Sequence, residues 1–229
     1  MAHRNGSADS EIPRVFRDRR EAGRLLAPLL RHYADRRDVI VLALPRGGVP
    51  VAYEIAMVLG APLDVFTVRK LGVPGREELA MGAIGSGGAY VLNYDVVDAL
   101  DISHREVVRV VERERQELER RERLYRDNRR YPELQNKTVI LIDDGLATGA
   151  SMLVAVNALR RKHPAKIIVA VPVAPPETAE MLREHADDVI CYETPQPFGG
   201  VGAWYEDFSQ VTDDEVRALL NQASLRRAS

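Results

Sequence analysis

The sequence predicts an α/β fold in which a mostly parallel central sheet is flanked by helices. Three observations predict it. The runs Val39–Leu44, Val139–Ile142 and Lys166–Val171 are short and largely apolar, as in parallel strands buried on both faces. Segments with helical apolar spacing follow them, and such alternation builds parallel sheets. The chain has 229 residues and is 45% hydrophobic, which suits one α/β core with small extensions.

Each element has its own signal. Residues 15–36 place Phe16, Ala22, Leu25, Leu26, Leu29 and Leu30 at helical spacing, so an amphipathic helix is expected. Pro45-Arg46-Gly47-Gly48 breaks the first strand, and Val49–Leu59 reads as a helix closed by Gly60. Leu63–Val68 alternates like a strand and ends at Arg69-Lys70. Gly72–Glu78 reads as a loop, and Ala80–Ile84 with Ala89–Asn93 as a hairpin around Gly85-Ser86-Gly87-Gly88. Asp95–Arg130 reads as one long charged helix with Val107, Val111, Leu118 and Tyr125 as a narrow apolar seam. Glu117–Arg121 and Glu119–Arg123 are supporting i,i+4 pairs. After Val139–Ile142 come a helix over Ser151–Lys162, a strand over Lys166–Val171, a helix over Glu177–His185 and a strand over Asp188–Tyr192. The tail adds a turn-rich segment from Pro195 and a short helix, Asp213–Leu220. Residues 1–14 are expected to be disordered and Ala223–Ser229 frayed.

Composition excludes several function classes. A net charge of −2 gives no basic field for nucleic acid. Glu nearly balances Arg over 105–130, which fits a solvated face or a dimer contact. Cys191 is the single cysteine, so an internal disulfide or Cys-cluster zinc site is out. The five histidines lack metal-ligand spacing. No apolar run approaches the roughly 20 residues of a membrane span. The polar start lacks a signal-peptide core, so a cytoplasmic location is expected.

The most specific stretch is Val139-Ile-Leu-Ile-Asp143-Asp144-Gly145-Leu146-Ala147-Thr148-Gly149-Ala150-Ser151-Met152. A buried strand ends in two carboxylates, and a loop of small and hydroxyl residues leads into a helix. Such a loop presents free backbone N–H groups and the positive end of a helix dipole, which suits a phosphate. The carboxylates suit sugar hydroxyls or magnesium.

This stretch resembles the phosphoribosyl-pyrophosphate (PRPP) signature of type I phosphoribosyltransferases. Two positions depart from it: Gly145 replaces a branched apolar residue, and Ser151 replaces Thr. The order of the flanking pieces agrees over about residues 37–195: Arg46-Gly47-Gly48 after the first strand, Arg69-Lys70 after the second, and a Pro-rich loop after the strand that follows the signature. Leu79–Ile84 and the Trp204-Tyr205-Glu206-Asp207-Phe208 tail look closest to a bacterial group of predicted phosphoribosyltransferases with unknown acceptor.

The resemblance implies the type I phosphoribosyltransferase fold, as one domain over 15–222 with core 37–195. It adds a flexible hairpin or lid, a charged helical insertion over 95–130, and a small hood and tail over 196–222. It implies transfer of a 5-phosphoribosyl group from Mg-PRPP to a nucleobase or similar nitrogen acceptor, with release of pyrophosphate. Asp143, Asp144, Arg69 and Lys70 are then the catalytic set. Ala147, Thr148, Gly149, Ala150 and Ser151 cradle the 5-phosphate; Arg46, Gly47, Gly48, Arg69, Lys70 and Arg76 take the pyrophosphate. Val173, Ala174, Pro175, Trp204 and Phe208 are the candidate acceptor pocket, although the aromatics fit core packing as well. Magnesium arrives with PRPP and meets Asp143 and Asp144 indirectly. A homodimer is expected, with no nucleic-acid or membrane partner. Two alternatives stand: a catalytically silent PRPP- or nucleotide-sensing regulator on the same fold, and an unrelated nucleotide-binding enzyme, such as a methyltransferase or kinase, with a coincidental Asp-Asp…Thr-Gly loop.

Overall fold

Seven α-helices and eight strands succeed one another along the described residues of the computed structural model, which are 15–126 and 131–228. The expected disorder of 1–14, the last four residues of the 95–130 insertion and Ser229 lie outside them. The order is α1 (Arg19–Leu26), a 3-10 helix (Ala27–Tyr33), β1 (Val39–Ala43), α2 (Gly48–Leu59), β2 (Leu63–Val65), β3 (Val68–Val73), β4 (Arg76–Gly85), β5 (Tyr90–Leu92), α3 (Tyr94–Ala99), α4 (His104–Arg126), β6 (Thr138–Ile142), α5 (Ala150–Arg160), β7 (Lys166–Val173), α6 (Pro176–Arg183), β8 (Asp188–Glu193), a 3-10 turn (Val201–Trp204) and α7 (Asp213–Ala228). None of these helices is long and apolar enough to cross a membrane.

The central sheet has the order β2-β1-β6-β7-β8, and every pairing in it is parallel. Period-two geometry sends alternate side chains to opposite faces. Val39, Val41 and Ala43 pack with α2 and α7 on one face, while Ile40, Leu42 and Leu44 pack with α5 and α6 on the other. This double burial explains the continuous apolar runs. A second sheet, β3-β4-β5, is antiparallel and buries Leu71, Met81 and Ile84 against Val107, Val111 and Leu118 of α4.

Several expectations need correction. The N-terminal helix ends early: Pro28 lies in the first turn of a 3-10 segment that takes over at Ala27, and Phe16 lies outside the helix, bridged to Tyr205. Leu63–Val68 is not one strand. β2 stops at Val65, and β3 begins at Val68 in the other sheet. The loop expected over Gly72–Glu78 is mostly strand, turning at Pro74-Gly75 between β3 and β4. The hairpin around Gly85–Gly88 is present, pairing Gly82 with Leu92 and Ile84 with Tyr90. The charged helix breaks after Ala99; Ser103 then caps α4, exchanging hydrogen bonds with Glu106 in a capping box. Of its expected pairs, Glu117–Arg121 is 3.0 Å apart. The last helix is 16 residues long, because Leu219, Leu220 and Ala223 bury against the core.

Candidate functional site

β1 and β6 are neighbours in register, Ala43 opposite Ile142, so their carboxyl ends lie side by side. The helices that follow them leave for opposite faces: α2 packs on one core and α5 on the other. This divergence opens the crevice in which open α/β sheets take ligands. The loop after β1 presses on the loop after β6. A Cβ at position 47 would lie 2.1 Å from Asp144 Oδ2, and one at 48 would lie 2.8 Å from the Ile142 carbonyl. The Gly47-Gly48 pair is therefore explained by close approach rather than by turn geometry.

The two acids have different surroundings. Arg19 Nε donates to Asp144 Oδ2 at 2.7 Å, with the side chains only 10% and 14% exposed. The same guanidinium donates to the Ser209 carbonyl at 2.8 Å and lies over the Phe208 ring, 4.0 Å from its centre. Tyr205 donates its hydroxyl to the Asp144 carbonyl at 2.5 Å. Asp143 accepts the Asp144 amide at 2.9 Å and lines the open crevice. Burial, then the neighbouring Asp144 charge, pushes the Asp143 carboxyl well above the usual carboxylate range, against a smaller opposing pull from Arg19. Burial likewise raises the Tyr205 hydroxyl, so it stays a donor.

Residues 147–151 form the start of α5, whose first amides have no helical partners. Gly149 is the N-cap, at φ 71°, and a Cβ there would also meet Thr178 Cγ2 at 2.8 Å. Thr178 donates to the Ala147 carbonyl at 2.7 Å and braces the loop against α6. Ala147, Thr148, Ala150 and Ser151 are exposed. At Gly145 a Cβ would sit 2.6 Å from Val201 Cγ1 and 3.0 Å from Val173 Cγ1. The space of the branched residue common in the resembling signature is thus filled by the hood.

A cleft of about 610 Å³ brings Arg46, Asp143 and Ser151 together. Its far wall is Arg120, Arg121, Leu124 and Tyr125 of α4, with Asp213 from the start of α7. Arg69, Lys70 and Arg76 do not line it. Arg69 donates to Glu114 of α4 at 2.6 Å, Lys70 donates to the Glu78 carbonyl at 2.8 Å, and Arg76 borders a separate hollow with Leu100 and Glu106. Val173, Ala174, Pro175 and Trp204 are buried, and Phe208 is covered on one face by Arg19. Trp204 and Tyr205 pack with Phe16, the core role weighed for these aromatics.

Sequence reasoning missed Arg19, Thr178, Arg120, Arg121 and Asp213. Arg19 and Asp144 are 125 positions apart, and nothing in the local pattern joins them. For Arg121 a signal existed: three residues after Leu118 and four before Tyr125, it flanks the apolar seam and shares the cleft with Tyr125.

Among the described residues no group of three or more His, Cys, Asp or Glu side chains offers a metal site. Two adjacent carboxylates are present, so a magnesium ion here would need most of its oxygens from a bound substrate and water.

The chain is similar to several known proteins. The family model for the phosphoribosyl transferase domain matches residues 17–206. A Mycobacterium tuberculosis protein named "Putative phosphoribosyl transferase", found in two strains, is 43% identical over 210 residues. That match covers 92% of this chain and 47% of the relative, so the chain spans about half the length of the curated relatives it matches. The crystal structure of TT1426 from Thermus thermophilus is 44% identical with a TM-score of 0.79, covering 91% of this chain and 98% of that one.

Proposed function

The chain belongs to the phosphoribosyl transferase domain family, and on that premise we propose that it transfers a 5-phosphoribosyl group from magnesium-bound PRPP to a nucleobase or similar nitrogen acceptor, releasing pyrophosphate. One observation carries the reading: a helix-start phosphate loop, the Asp143 carboxylate and the Arg46 loop converge on one cleft.

The amides of residues 147–151, with the Thr148 and Ser151 hydroxyls, hold the 5-phosphate. The acceptor nitrogen forms a bond to the anomeric carbon as the carbon–oxygen bond to pyrophosphate breaks; the electron pair leaves with pyrophosphate, and the acceptor's N–H proton passes to a pyrophosphate oxygen or to water. Asp143, facing the cleft, binds a ribose hydroxyl and stabilises the positive charge that builds on the sugar. Asp144 positions the clamp: Arg19 and Tyr205 hold it against Gly47. Arg46 meets the diphosphate. Magnesium, when bound, would neutralise phosphate charge, and Asp143 and Asp144 are the residues that would help hold it. A homodimer, a cytoplasmic location and a single unit over 15–222 belong to the same proposal.

The test is pyrophosphate release from Mg-PRPP against a panel of purines, pyrimidines and other nitrogen heterocycles, for wild type and Asp143→Asn. Release that needs one class of acceptor and disappears in the variant supports transfer. A second reading, binding without transfer, draws on Arg69 and Lys70 being engaged away from the cleft and on the buried residues 173–175. Calorimetric PRPP binding with no release against any acceptor would select it.

A further inference from the structure

The cleft has more cation than the resembling signature accounts for. Arg46 enters from the loop after β1, while Arg120 and Arg121 enter from α4, which packs on the antiparallel sheet and on α7. Both α4 guanidiniums rest on one carboxylate, Glu117, at 2.7 Å and 3.0 Å, and their side chains are 60% and 49% exposed. Three guanidiniums thus face two carboxylates of the lining, Asp143 and Asp213. Asp213 lies 3.7 Å from Arg46 and accepts the Tyr125 hydroxyl at 2.8 Å. Thr67, in the same wall, is 5% exposed, and its Oγ1 has no hydrogen-bond partner. An unpaired buried hydroxyl is costly unless something else satisfies it.

Arg69 and Lys70 of the hairpin are otherwise engaged. Arg69 is held by Glu114, so α4 withdraws from the cleft one guanidinium that the resemblance assigns to pyrophosphate. The same helix presents two others to the cleft, one to two turns further on.

We propose that Arg120 and Arg121 of α4, with Arg46, form the anion-binding half of the cleft and take the diphosphate of the donor, the task that the resemblance gives to Arg69 and Lys70. This rests on the phosphoribosyl-transfer reading. Paired guanidiniums suit a diphosphate, since each offers a planar fork of donors to phosphate oxygens. Asp213 is the counter-charge that the diphosphate displaces from Arg46.

The test uses the full chain and isothermal titration with three probes, each with magnesium: PRPP, pyrophosphate and ribose 5-phosphate. Arg120→Ala with Arg121→Ala should weaken PRPP and pyrophosphate at least about tenfold, the scale of one lost charge-assisted contact, and leave ribose 5-phosphate within about twofold. Arg105→Ala with Arg123→Ala removes the same charge from the same helix away from the cleft and should leave all three probes nearly unchanged. Asp213→Asn should tighten pyrophosphate several-fold, a gain that a misfolded variant cannot give. If wild type binds PRPP and the Arg120/Arg121 variant binds it equally well, the α4 assignment is overturned and the transfer reading stands. Equal weakening by the two double variants, or equal loss of ribose 5-phosphate, also overturns it. If wild type binds none of the probes, the transfer reading itself fails.

Discussion

Replacing Arg19 by methionine separates the anchoring of the acid pair from its chemistry. Methionine keeps most of the apolar stem, so the lost features are the charge, the 2.7 Å contact with Asp144 and the hydrogen bond to Ser209. Both partners are at least 86% buried by side chain, so solvent screens them little. Removing one member of such a pair leaves an uncompensated buried carboxylate and costs about 3–5 kcal/mol. At roughly 2–4 °C per kcal/mol for a chain of this size, Tm should fall about 6–20 °C. The stacking on Phe208 adds to the loss, and methionine–ring contact recovers part of it. The assay is a double-mutant cycle of Arg19→Met and Asp144→Asn, followed by urea denaturation at neutral pH. Each single change should be costly and the double change markedly cheaper than their sum. A loss under about 1 kcal/mol for Arg19→Met, or simple additivity, would refute the anchoring argument.

Three further outcomes follow from the geometry. Asp143 has a folded-state pKa above its unfolded one, so the native protein binds the extra proton; stability should fall as pH rises from the ordinary carboxylate range through the raised value. Asp143→Asn should flatten that slope and stabilise the protein at neutral pH while abolishing transfer, and a steeper slope in the variant would contradict this. Gly47→Ala places a methyl 2.1 Å from a carboxylate oxygen that Arg19 holds, so it should cost about 1–3 kcal/mol or more and weaken PRPP binding; unchanged Tm and affinity would show that the loops separate freely. Gly145→Val, which restores the branched residue common in the signature, should destabilise by a similar amount, and Val201→Ala should rescue it in part, read by thermal denaturation.

Much of this molecule is readable from its residues, for physical reasons that differ by element. β1, β6 and β7 announce themselves because burial on both faces demands unbroken apolar runs. The phosphate loop is legible because its requirements are local: small residues, a positive φ at Gly149 and a helix start. The split between β2 and β3 is not legible, since Leu63–Val68 alternates without a breaker and only the packing of Phe66 and Thr67 sends the chain to another sheet. The break before α4 was readable, because Ser103 and Glu106 spell a capping box inside a segment otherwise dominated by charge. The two acids look equivalent in sequence. They differ only because Arg19, Tyr205 and Gly47 converge on Asp144 from three distant segments.

The register of β1 on β6 has a mechanical consequence. Sliding one strand past the other by a residue would move Gly47 about 3.3 Å along Asp144. It would also turn Val39, Val41 and Ala43 toward the wrong core. Loop spacing and core packing are therefore one degree of freedom, clamped by the whole sheet. The α4 wall is seated differently: Val107, Val111 and Leu118 rest on the antiparallel sheet, only Tyr125 joins the core shared with α2 and α7, and α4 shares no ladder with either strand. Width on that side can be retuned by substitutions along the Val107–Leu118 seam without retuning the strands. The molecule thus works as a vice with one fixed jaw and one adjustable jaw, and the adjustable jaw carries two of the three arginines, Arg120 and Arg121.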